Sequence, residues 1–140
     1  MNQHIPVTRD FNLNYSIEEV KKSIELICEL SSSTFTIKSK NDAFNSYTMT
    51  MVGGLTVVNP QIQLKKVSEQ ETNLVLTCNF KNGNTIASTE IIDKFFVLVG
   101  KSLTGENIDK ETIAKEKAGC FTIIIGIVGI GSPLVYYLFS

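Results

Sequence analysis

Tryptophan is absent from this chain of 140 residues, arginine occurs once (Arg9), histidine once (His4) and cysteine three times. Each scarcity excludes something. Phosphate recognition needs a clustered surplus of Lys and Arg, and 13 basic against 14 acidic residues leave none, so nucleic-acid binding is set aside. His4 stands near the N-terminus without partners at metal-ligand or general-base spacing, and no metal is expected. Cys28, Cys78 and Cys120 are odd in number and scattered. They form neither a disulfide framework nor a zinc pattern, which agrees with a reducing compartment. Glu18 and Glu19 suit a helix N-terminus, and Glu69 and Glu71 suit a solvated turn, so no paired acids occupy an apolar setting. Gly53-Gly54 matches neither GxGxxG nor GxxxxGK[ST]. No cofactor is therefore expected, and the chain reads as a non-enzyme built on one globular domain.

Charge is also missing locally. The last 21 residues, CFTIIIGIVGIGSPLVYYLFS, contain no Asp, Glu, Lys or Arg, and fourteen of them are apolar. A helix of that length covers ~30 Å at ~1.5 Å per residue, the thickness of a bilayer's hydrocarbon layer. The expectation is one C-terminal transmembrane helix from Cys120 and Phe121, through Gly126, Gly129 and Pro133, to Tyr136 and Tyr137 near its far interface. The alternative is that IIIGIV is a buried strand of the soluble fold. Ala118-Gly119-Cys120 has the wrong order for a lipoprotein cleavage box, because its apolar stretch follows the cysteine. MNQHIPVTRDFN lacks the apolar core of a secretion signal, which also argues against a GPI tail. The N-terminal domain is expected to be cytoplasmic.

Periodicity orders the rest. Ile5, Val7, Arg9, Phe11 and Leu13 share one side of a first strand, despite the arginine. Ser16 and Glu19 form a capping box for a helix over 17–30, whose stripe is Ile17, Val20, Ile24, Ile27 and Cys28. Phe35 and Ile37 mark a second strand. Tyr47, Met49 and Met51 mark a third, up to the Gly53-Gly54 break, and Asn59-Pro60 punctuates again. Ile62 and Leu64 pair with Leu74, Leu76, Cys78 and Phe80 as a hairpin. Ser88 is expected to cap a second helix carrying Ile91, Ile92, Phe95, Phe96, Leu98, Val99 and Leu103, closed by Gly105. The apolar face of that helix spans about 160° at 100° per residue.

This is an α+β domain with an antiparallel sheet, in the order strand, helix, four strands, helix. Over residues 5–104 the order resembles the layout of TBP-like folds and, more loosely, the helix-grip fold. The latter resemblance implies a terminal helix lying in the hand of the sheet. The open face (Thr48, Thr50, Gln61, Gln63, Lys65, Asn73, Thr77, Asn79) lacks the character of a minor-groove binder. The domain boundaries are 1–105 for the cytoplasmic domain, 106–119 for a charged juxtamembrane linker and 120–140 for the span.

Two functions follow. One is a tail-anchored protein-interaction or scaffold module at the membrane, with membrane lipid, a protein partner or a second copy as its contacts. The other is a domain that binds or senses a lipid or small hydrophobic ligand, with Tyr47, Met49, Met51, Phe95 and Phe96 as the candidate face. A filled core is the plain alternative to such a pocket, and a membrane oligomer built through the span crosses both classes.

Overall fold

The computed structural model describes residues 5–80 and 85–115. Strand β1 (Ile5–Leu13) follows its period-two pattern, with Phe11 and Leu13 buried and Asp10 and Asn12 exposed. Helix α1 (Ile17–Leu30) starts where the capping box places it. The Glu19 N–H donates to the Ser16 hydroxyl at 3.2 Å, and the Ser16 N–H donates to the Glu19 carboxylate at 3.1 Å. Val20, Ile24, Ile27 and Cys28 form its buried stripe.

Strands β2 (Phe35–Asn41), β3 (Ser46–Gly53), β4 (Thr56–Val58), β5 (Gln61–Ser68) and β6 (Glu71–Phe80) follow. Five strands separate the two long helices, one more than the residue pattern led us to expect. The extra one is β4, which turns back at Gly54 (φ 61°) and pairs with β3 through Val52 and Val57. It is three residues long, and Asn59-Pro60 breaks it from β5, so no alternation is long enough to announce it.

The sheet is antiparallel, in the order β1-β6-β5-β3-β2 with β4 beside β3. A bulge near Lys38 shifts the phase of β2. Phe35 and Ile37 face the same way as Met51 and Met49, and beyond the bulge Lys40 joins them opposite Tyr47.

Helix α2 (Thr85–Leu103) begins earlier than expected. Ser88 is not its cap but lies buried within it, because Thr85 to Glu90 contains no residue that breaks a helix. At the far end the Gly105 N–H donates to the Ser102 carbonyl and the Glu106 N–H to the Lys101 carbonyl. Gly105 closes that turn at φ 90°, a backbone region that glycine enters without penalty. From Phe95 to Gly100 every residue of α2 is buried. The sheet lies on one side of it and α1 on another, where the Ser102 hydroxyl donates to that of Ser23 at 3.0 Å. The segment expected as a charged linker contributes Ile108 and Ile113 to the same core, and it carries a short helix, α3 (Lys110–Lys115). The expected span, from Cys120 and Phe121 through Gly126, Gly129 and Pro133 to Tyr136 and Tyr137, lies outside the described residues, as does His4. No helix among the described residues is long and apolar enough to cross a membrane.

Candidate functional site

The inner face of the sheet is set by alternation, which sends Tyr47, Met49 and Met51 of β3 toward the helices. Helical spacing sends Phe95 and Phe96 of α2 to meet them. The five candidate residues do come together in one cluster. The aromatic rings link the layers: Phe35 to Phe95 at 5.1 Å, Phe95 to Phe96 at 5.7 Å and Phe11 to Phe96 at 5.0 Å. Such edge-on and tilted pairs contribute ~0.5–1.5 kcal/mol each beyond area burial. Tyr47, Met49, Met51, Phe95 and Phe96 are each at most 1% exposed, so their side chains fill the interior in this state. Cys28 and Cys78, both reduced, are buried in the same cluster.

Helix α2 is held on two flanks. Among the strands, β3 and β4 run nearest its backbone. There Gly53 leaves space for Ile91: a Cβ at Gly53 would stand 2.3 Å from Ile91 Cδ1. Two residues on, about 200° round the helix and so on its opposite flank, Asp93 accepts from Arg9 Nε at 3.1 Å and from Nη2 at 3.5 Å. Contacts from β1 and β3 on opposite flanks require the sheet to curl around the helix. Large side chains fill the space between the curled sheet and the helix axis.

Polar groups border this interior. The Tyr47 hydroxyl donates to Glu25 of α1 at 2.8 Å, and Lys40 donates to the same carboxylate oxygen at 3.2 Å. Burial first, then the Glu25 hydrogen bond and charge, push the Tyr47 phenol well above its ordinary value. Cys28 is pushed up to about 12 by burial and then by Glu25. Burial raises Cys78 as well, partly offset by a hydrogen bond with the Asn59 backbone. All three groups are therefore neutral at pH 7. Among the described residues no group of three His, Cys, Asp or Glu side chains is placed to hold a metal ion.

Sequence reasoning missed Asp93, Glu25 and Lys40. Only the first had a signal, because Arg9 shares the phase of Phe11 and Leu13, and a charge on a buried strand face needs a counter-charge. Glu25 and Lys40 meet only because the bulge turns Lys40 inward. Of the two neighbouring lysines of α1, Lys22 is exposed, whereas Lys21 is half-buried and donates to Asn45 at 2.9 Å. Outside the core, a groove of ≈ 470 Å³ runs between Glu19, Lys22 and Leu26 of α1 and Ser102 and Leu103 of α2. A second, of ≈ 380 Å³, lies between the α1–β2 turn, Lys94, Lys110 and Ile113.

No protein-family model matches the sequence, and no curated protein matches it. Among solved structures, a conserved protein from Geobacillus kaustophilus is 13% identical, with 71% of this chain and 95% of that chain covered and a TM-score of 0.49. Ara h 8.0201 is 12% identical, with 74% and 100% covered and a TM-score of 0.48. The ZhuI aromatase/cyclase from Streptomyces sp. R1128 is 6% identical, with 95% and 91% covered and a TM-score of 0.43. All three scores lie below one half, so the fold rests on the strand order and register above rather than on these likenesses.

Proposed function

We propose that this chain is a hydrophobic-ligand-binding domain of helix-grip layout, holding a lipid or small apolar molecule between α2 and the inner face of the sheet. Its membrane address comes from the charge-free segment 120–140. The observation that carries the reading is the way α2 is held, at its two flanks, with an adaptable apolar layer beneath. That layer is built from Met49, Met51, Phe35, Phe95 and Phe96. Thioethers and aromatic rings change rotamer at small cost in volume, so a ligand could take the place of water-free side-chain contacts without unfolding the sheet. The Tyr47 hydroxyl and Glu25 would give an amphiphile's polar end a donor and acceptor at the border of that layer.

The protein-partner reading drew on the breadth of α2's apolar face. That face is now accounted for within the molecule, since α2 is buried on all sides from Phe95 to Gly100. The ligand reading is therefore the better supported of the two. Full-length protein purified in mild detergent and analysed by native mass spectrometry tests it. An added mass of a few hundred daltons that organic extraction removes is the expected result. Protein of bare mass that also fails to take up fluorescent fatty acids and sterols would defeat the reading.

A further inference from the structure

We infer that the β3–β4 hairpin tip docks onto the membrane surface itself, so that the domain meets the bilayer with a defined face. The inference rests on the membrane address proposed above, but not on ligand binding. Three observations carry it. Between Asp42 and Lys65 the sequence contains no Asp, Glu, Lys or Arg. Within that stretch Phe44, at the far end beside Asp42, is 68% exposed, whereas the hairpin groups Leu55 (104% exposed) and Val57 (55% exposed), with half-buried Val52 pairing with Val57 on the outer face of the sheet. Exposed apolar side chains grouped on a charge-free hairpin are costly in water and match the interfacial zone of a bilayer.

The third observation is where the chain leaves the described domain. The Val52 N–H donates to the Thr34 carbonyl at 2.9 Å, which joins the tip strand to the α1–β2 turn. That turn lines one groove together with Lys94, Lys110 and Ile113. Helix α3 thus stands at the same end of the molecule as the hairpin tip. From it the sequence runs on toward the segment without charge. Lys94 and Lys110 add cationic groups at this end that suit anionic headgroups, although Glu29 lines the groove with them. The opposite end of β3 lies ~26 Å away at ~3.3 Å per residue. It is charged, with Asp42 within ion-pairing distance of both Lys21 and Lys40, which surround the exposed Phe44 with charge that the hairpin tip lacks.

The chain's lack of tryptophan supplies the probe. Leu55→Trp in the full-length protein introduces a single indole at a side chain that touches nothing in the core, and Phe44→Trp introduces one at the opposite, charged end. Each variant is reconstituted into phosphatidylcholine–phosphatidylserine vesicles, with and without lipids brominated on the acyl chains, and recovered by flotation. The expected result is a blue-shifted Leu55→Trp emission that brominated lipid quenches, beside a Phe44→Trp emission that stays red and unquenched. Floated protein in which Leu55→Trp is unquenched, or is quenched no more than Phe44→Trp, overturns the docking face and leaves the membrane address standing. Protein that does not float overturns both.

Discussion

The contact between Gly53 and Ile91 is a direct test of how α2 is seated. In Gly53→Ala the new methyl would lie 2.3 Å from Ile91 Cδ1 and 3.0 Å from Cγ1, against a comfortable carbon separation of ~3.5–4.0 Å. Ile91 is 7% exposed and sits in a helix, where its branched Cβ confines χ1 to one well. Rotation about χ2 can move Cδ1 but not Cγ1, so overpacking costs ~1–3 kcal/mol. Alanine returns ~0.4–1 kcal/mol by restricting the unfolded chain. The net expectation is a loss of about 1–2 kcal/mol, or ~4–8 °C in Tm for a domain of this size. Ile91→Val alone costs ~0.5–1.5 kcal/mol by losing a buried methyl. In the double variant Cδ1, the nearer clashing atom, is gone while Cγ1 stays at 3.0 Å, so the two losses should fall short of additivity by ~0.5–1 kcal/mol. The assay is thermal and urea unfolding of all four proteins in detergent, followed by circular dichroism. Additive losses, or a Gly53→Ala protein as stable as the parent, would show that α2 does not press on β3 at this point.

The opposite flank gives the next prediction. Arg9 and Asp93 are 22% and 16% exposed, between the surface pairs worth ~0–1 kcal/mol and the buried ones whose breakage costs ~3–5 kcal/mol. Arg9→Met should therefore lower stability by ~1–3 kcal/mol, and adding Asp93→Leu should recover part of it; a double variant as unstable as the single one refutes an ion-pair role. The thiol of Cys28 predicts an alkaline limit. Its folded value is pushed up to about 12, whereas an exposed thiol ionises near 9.0. Between those values the unfolded state releases a proton that the folded state keeps, so stability falls by ~1.4 kcal/mol per pH unit and the decline ends above pH 12. Cys28→Ala should make urea midpoints measured from pH 8 to 11 decline less steeply, and an unchanged slope would assign the alkaline loss elsewhere.

The long elements were legible because each carries its own period. Val20, Ile24, Ile27 and Cys28 could only be one helix face, and Tyr47, Met49 and Met51 one strand face. The candidate cluster followed from the same reading. What escaped it depends on events of one or two residues. A single extra residue at Lys38 reverses the facing of Lys40, and a turn at Gly54 creates a strand of three residues. Helix α3 was hidden by its charge: Lys110, Glu111 and Lys115 read as linker, although Ile108 and Ile113 anchor the segment. The start of α2 was misplaced because Ser88 looks like a cap in isolation, whereas its hydroxyl is taken inside the fold.

The two flank contacts also constrain how a ligand would have to enter. They differ in what separation costs. The Gly53–Ile91 contact is apolar, and parting it exposes a few methyl groups. Parting Arg9 from Asp93 lets two charges, each largely covered, return to water, which lowers their desolvation cost as their attraction weakens. Opening by rotation of α2 about its β3 side parts this pair and the Phe11–Phe96 rings beside it, so apolar surface is uncovered there too, but the released charges regain hydration that offsets part of that cost. Rotation about its β1 side would instead uncover Phe35, Met51 and Phe95, with nothing to offset the exposed apolar surface. On the proposed function, the β1–α2 seam is the entrance and the β3–α2 contact the hinge. Arg9→Met should then quicken the uptake of a fluorescent fatty acid more than it changes the final extent of binding. Equal uptake rates in parent and variant would place the entrance elsewhere.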